Sequence, residues 1–200
     1  CVSVGSYQHD NQVPDAPVLS GTDPASPSYS NELSVLGSAE EGGTVKVYAD
    51  SNCASTALGE GASEDFEEIG VPIEVDDNSE LTLYATITDA AGNISECSAT
   101  GVSYREDSIV PDAPVLLGTV PDSPGSSLSP VLTGTAEIGV TVQVFQGESC
   151  EGLLILEQVV DGAGGLFQSL VSVNENASTL FATRAVDEAG NVSECVSNAF

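Results

Sequence analysis

Apolar and polar residues alternate through Thr44-Val45-Lys46-Val47-Tyr48, and again through Thr141-Val142-Gln143-Val144-Phe145, 97 positions later. A period of two with one charged or amide face is the mark of a half-buried strand. The rest of the chain breaks into similar short pieces between turn residues, in two parallel series. Strands are predicted over 16–22 (113–119), 32–38 (130–136), 44–48 (141–145) and 81–88 (179–186). A less regular hairpin is predicted over 54–61 and 66–75 (152–160 and 165–173). The turn 76–79 (174–177) and the loop 89–93 (187–191) flank the 81–88 (179–186) strand, and a last strand carrying Cys97 (Cys195) runs to about Tyr104. No segment has helical periodicity, and prolines with β-branched residues argue against helices. Strand count and spacing predict an all-β chain of two tandem β-sandwich domains of about seven strands each.

The repeat is plainest at Val13-Pro14-Asp15-Ala16-Pro17-Val18-Leu19, which returns at Val110-Pro111-Asp112-Ala113-Pro114-Val115-Leu116. Its prolines fix φ and remove donors, giving a stiff extended lead into each first strand. Residues 1–12 are assigned to the tail of a preceding repeat or linker, 13–109 to the first domain and 110–200 to the second. The second copy holds one more residue than the first where Tyr84-Ala85-Thr86 is matched with Phe181-Ala182-Thr183. A one-residue insertion inside a strand flips every later side chain, so a β-bulge is expected near Arg184.

Charge narrows the partners. The formal net charge is −28, with 31 acidic residues against three basic ones. Such a surface repels phosphate backbones and anionic membranes and attracts cations. No apolar run is long enough to span a bilayer, so direct membrane insertion is not expected.

Five cysteines fit the same repeat. Cys53 and Cys150 are equivalent, as are Cys97 and Cys195, so each domain owns one pair: Cys53 with Cys97, and Cys150 with Cys195. Cys1 aligns with Cys97 and is expected to pair outside the two repeats; a lipidated first residue is the alternative. Repeated pairs in an acidic, Lys-poor chain favour disulfides and an extracellular or cell-surface setting. Reduced, buried cysteines are the competing reading. A zinc site is poorly supported, with His9 the single His and no CxxC.

The succession Gly-x-Ala-Glu, Gly-x-Thr-Val-x-Val-Tyr/Phe and Asp-x-Ala-Gly-Asn-x-Ser resembles bacterial immunoglobulin-like tandem repeats. It covers about residues 14–105 and 111–200, nearly the whole chain. The resemblance implies immunoglobulin-like sandwiches from a long array in a large secreted or cell-surface protein, such as an adhesin, here in a disulfide-bearing form.

Catalytic signatures are weak. His9 is the only base available for a hydrolase triad and reads as a generic exposed histidine. Acidic surfaces make chance carboxylate pairs by the dozen. An intramolecular amide cross-link needs a buried lysine, yet Lys46 is the only lysine and its equivalent is Gln143. Of the sequons at Asn93, Asn176 and Asn191, two belong to the Gly-Asn turn, where backbone geometry already accounts for the Asn. The sharper candidate is calcium, which takes six to eight oxygens from carboxylates and carbonyls on loops. At the joint, Asp76, Asp77, Glu106, Asp107 and Asp112 are expected to meet Asp187 and Asn191 of the second domain around an ion. Asp89 and Asn93, with Asp10 and Asp15, are the matching set toward an upstream domain. Asp, Asn and Gly are also ordinary turn residues, and local hydrogen bonding explains them without a metal.

The expected role is non-enzymatic: a spacer or stalk whose partners are neighbouring immunoglobulin-like repeats of the same chain. A building segment of a self-associating extracellular filament or sheath is a second reading. A carbohydrate- or protein-binding module is a third, held back by five Tyr, five Phe and no Trp.

Overall fold

A computed structural model describes residues 7–199. The chain divides into two compact units, the first ending at Asp107 and the second beginning at Ser108. Each is a sandwich of a three-stranded and a four-stranded antiparallel sheet, and no described helix is long and apolar enough to cross a membrane.

In the first unit, β1 (Val18–Asp23), β2 (Glu32–Ser38) and β5 (Val71–Glu74) form one sheet in the order β1-β2-β5. The other contains β3 (Thr44–Tyr48), β4 (Gly59–Ala62), β6 (Glu80–Thr88) and β7 (Val102–Arg105), ordered β4-β3-β6-β7. The alternation foreseen at 44–48 puts Val45 and Val47 in the core while Lys46 faces out to Glu60, 3.5 Å away. Val35, Val71, Leu83 and Phe66 complete a core with no solvent access.

The second unit repeats the plan. β8 (Val115–Val120), β9 (Val131–Thr135) and β12 (Leu166–Leu170) make one sheet. β10 (Thr141–Gln146), β11 (Leu153–Val159), β13 (Leu180–Val186) and β14 (Val196–Ala199) make the other. Leu132, Val142, Val144, Val160 and Phe167 fill its core.

Three expectations need correction. The hairpin over 54–61 and 66–75 does not form: β4 pairs with β3 and β5 with β2 in the other sheet, a 3-10 turn at Ser63–Asp65 lies between them, and β5 begins only at Val71. The turn delivers Phe66 onto Gly37, where a Cβ would lie 2.6 Å from the Phe66 ring. In the second unit Phe167 covers Gly134 in the same way, but from inside β12. The bulge near Arg184 does not occur. β13 runs against β10 in unbroken register from Thr141↔Val186 to Gln146↔Phe181, with Gln143 opposite Arg184. The extra residue is already absorbed before β12, because Val35 faces Val71 while Leu132 faces Ser169. A loop takes up an insertion without turning core residues outward. The register shift that the second unit adds lies instead between Val144 and Phe145, against β11; the one between Leu116 and Gly118 of β8 matches that between Leu19 and Gly21 of β1.

Finally, the last strand starts later than expected, at Val102 and at Val196, so Cys97 and Cys195 precede it. The segment before β7 runs along β6 on serines. Ser95 and Ser98 donate their amides to the carbonyls of Ile87 and Ala85. Their hydroxyls accept the amides of those same residues, at 3.0 and 3.1 Å. The side chains stand in for a second strand's carbonyls.

Candidate functional site

The lead motif belongs to the domain that follows it. Pro14 and Pro17 are buried in the first unit, Pro111 and Pro114 in the second. The Asp15 amide donates to Glu40 Oε1 at 2.8 Å, and the Asp112 amide to Glu137 Oε1 at 2.7 Å. The Glu of each Gly-x-Ala-Glu thus clamps the Asp of its own lead, a link between two motifs set 25 residues apart in both units.

The structure links Cys53 to Cys97 and Cys150 to Cys195, with Cα–Cα distances of 5.7 and 5.9 Å. Cys1 lies outside the described residues. The late start of β7 and β14 leaves each second cysteine in a connecting segment that can reach the loop after β3 or β10. In the first unit that loop is organised by Asp50. Its carboxylate accepts the amides of Asn52, Ala54 and Ser55 at 3.0–3.1 Å, and its carbonyl accepts the Cys53 amide. This cradle holds Cys53 at φ 50°, a conformation that costs a non-glycine residue energy. The Ser55 side chain, then the amides of Ala54, Ser55 and Asn52, hold the Asp50 carboxyl down at about 2, outweighing desolvation. In the second unit Gly147, at φ 129°, occupies the position of Asp50.

Of the residues proposed for calcium, those in the first unit gather at one end. Glu106 is 1% exposed and accepts the amide of Asn78, which sits at φ 54° in the turn after β5. The Glu106 amide donates to the Ser79 carbonyl, and Asp107 donates its amide to Ser28. Tyr104, also 1% exposed, donates its hydroxyl to the Ser30 carbonyl at 2.6 Å. Protein donors engage several of the carboxylates. Asn31 Nδ2 donates to Asp77 Oδ1 at 2.8 Å, and Arg105 lies 3.7 Å from Asp107. Asp76 is exposed, and its carbonyl accepts the Ser79 hydroxyl.

The loops at 89–93 and 187–191 are closed locally. Asp89 accepts the Asn93 amide and side chain, both at 2.8 Å, and Asp187 accepts the same two groups of Asn191 at the same distances. The Asn93 side chain leads the bonds that lower the Asp89 pKa. These contacts also occupy Nδ2 of both asparagines, the atom a glycan would need. Among the described residues, no three His, Cys, Asp or Glu side chains are grouped to hold a metal ion. His9 is exposed in the lead.

The described residues also form concavities. One, of about 660 Å³ in the second unit, lies between the β8–β9 and β12–β13 connections, and Phe181 is its single aromatic. Another is a shallow acidic depression in the first unit, bordered by Tyr29, Asn31, Glu32, Glu74, Asp76 and Asp77. Neither offers paired aromatic faces to a sugar.

No protein-family model and no curated protein matches the chain. Among solved structures, fibronectin(III)-like modules of Clostridium thermocellum CbhA are similar, with TM-score 0.50 and 14% identity over 87% of this chain and 90% of that one. A biofilm associated protein BSP domain aligns with 94% of this chain at TM-score 0.35 and 16% identity; this chain spans 29% of that chain. The likeness to the CbhA modules is one of fold: two tandem all-β sandwiches of the immunoglobulin and fibronectin type.

Proposed function

We propose that the chain is a non-enzymatic spacer, part of an extracellular array that carries another element away from a surface. One observation supports this most: the same disulfide closes the same sandwich twice. Cys53–Cys97 and Cys150–Cys195 have sequence separations of 44 and 45. Each bridge limits how far its domain extends when pulled and constrains the unfolded state. Disulfides also suit an oxidising, extracytoplasmic setting. The buried prolines and the Glu40 and Glu137 clamps fix each lead to its domain, as a transmitted load requires.

The test is a swap. With a binding tip displayed on a cell beyond these 200 residues, deletion of the chain should impair tip function. Replacement by two unrelated sandwiches of equal length should restore it. Loss of function after the swap would instead favour a ligand-binding module.

Calcium at the joint is a separate part of the proposal. It rests on the oxygens of Asp76 and Asp77 in the turn after β5, Glu106 and Asp107 after β7, Asp112 in the second lead, and Asp187 with Asn191 in the loop after β13. Millimolar calcium should raise the melting temperature relative to chelator. Coincident melting curves would remove calcium from the account and leave the spacer reading intact.

A further inference from the structure

The two units differ in the outer face of the three-stranded sheet. In the second unit, Val115, Leu117 and Val120 project outward from β8 and are 56, 58 and 60% exposed. Leu166 and Leu170 of β12 are 54 and 72% exposed. The register aligns them in rows: Leu166, Thr135 and Val115 at one end, Leu170, Val131 and Val120 at the other. Gln168 and Thr133 lie between, beside Leu117, which the β8 irregularity leaves without a β9 partner. Every outward residue on these strands is uncharged.

The first unit serves as an internal comparison. Its equivalents of Leu117, Val120 and Val131 are Ser20, Asp23 and Ser34, and Glu32 pairs across from Glu74 on the same sheet; Val18 and Leu36, which match Val115 and Thr133 in the alignment, remain apolar. The fold therefore accepts a polar, charged surface here. An apolar surface in the second unit is a property of that unit and not of the architecture.

We propose that the outer face of β12–β9–β8 is a contact between two copies of this chain, each presenting that same face. The charge argues for a second copy. A chain of net charge −28 repels its like across most of its surface. Two copies approach most easily where neither presents a carboxylate. The face also suits twofold pairing. Its apolar rows lie at opposite ends with polar Thr133 and Gln168 between, so a half-turn sets apolar row against apolar row. Size sets the strength. Three strands about 4.8 Å apart and five residues of about 3.3 Å give a footprint of roughly 240 Å². That is about a third of the roughly 800 Å² per partner in a stable complex. A single contact is weak, and multiple copies along neighbouring arrays would strengthen it through avidity. This inference goes beyond the spacer reading, which holds for an isolated chain.

Sedimentation of the 200-residue chain tests it, from about 10 µM to about 1 mM, in about 0.05 M and about 0.5 M NaCl. The expected result is faster sedimentation with rising concentration, more so in high salt, where carboxylate repulsion is screened. Substituting the first unit's residues, Leu117→Ser, Val120→Asp and Val131→Ser together, should weaken association about tenfold or more. A melting scan checks that this variant folds. On the parent chain, concentration-dependent amide shifts should fall on β8, β9 and β12, a readout that needs no variant. A monomer throughout the range would overturn the proposal. So would a folded variant that associates as strongly as the parent, amide shifts confined to other strands, or association that weakens with salt.

Discussion

Replacing Cys53 and Cys97 by alanine should destabilise the first domain and leave the second nearly untouched. The bridge closes a loop with a sequence separation of 44. Loop-closure entropy for that length is about 13 cal/mol/K, or about 4 kcal/mol at room temperature. For a domain of this size each kcal/mol moves the melting temperature by roughly 4–8 °C, so a fall of roughly 15–30 °C is expected. Differential scanning calorimetry is the assay, because it resolves the two domains as separate transitions once one has moved. The second domain's transition should stay within about 2 °C, since its core and its bridge belong to its own fold. Reducing the unaltered chain should lower both transitions by similar amounts, because the second loop has a separation of 45. A shift below about 3 °C, or a single transition moving as one, would refute the reasoning: either the bridges do not constrain the unfolded chain or the domains are not independent.

Other expectations follow from single contacts. Tyr104→Phe removes the hydroxyl that donates to Ser30 and leaves that carbonyl unpaired by it, which should cost about 1 kcal/mol in urea titration. Gly37→Ala places a methyl 2.5 Å from the Val18 carbonyl and 2.6 Å from the Phe66 ring, so overpacking of about 1–3 kcal/mol is expected. Alanine at Gly42, where nothing lies within 4 Å, should meet no such crowding and pay only for its positive φ. Asp50 titrates at about 2 in the fold against 3.8 in the unfolded chain. Its contribution is therefore complete above the unfolded value and is lost as pH falls through about 2. Between about pH 5 and about pH 2, the urea midpoint of Asp50→Asn should fall less than that of the parent. Amide exchange at Ala54 and Ser55 should be faster in the variant at neutral pH.

The sequence made the core strands legible because their alternation is local. Val45, Val47, Val142 and Val144 need only a period of two to be assigned inward. The domain pattern was legible because it occurs twice. Features that rest on long-range contacts were not. Phe66 and Phe167 fill the same space over Gly37 and Gly134 from different offsets, so aligning the repeats could not match them. The bulge expected near Arg184 is absent because Tyr84 and Phe181, the two aromatics that suggest the alignment, lie one register apart in their sheets. Gln143 stands opposite Arg184, accepts its Nε–H at 2.7 Å, and takes the place that Lys46 holds in the first unit. The acidic turns looked like ion ligands because Asp and Asn serve both roles. Asp89–Asn93 and Asp187–Asn191 turn their groups on each other, an arrangement that sequence cannot separate from coordination. The Glu40 and Glu137 clamps had a usable signal: each lead Asp is followed 25 residues later by a Glu in both repeats.

The central claim is that the chain is two independently folded, disulfide-limited units able to bear load in series. Single-molecule pulling from the two ends tests it most directly. Oxidised chains should show two unfolding events, each shortened because its bridged loop cannot extend. Adding reductant should lengthen each event by about 160 Å, from 44 or 45 residues at up to about 3.6 Å each. A single unfolding event, or extensions that reductant leaves unchanged, would contradict the account.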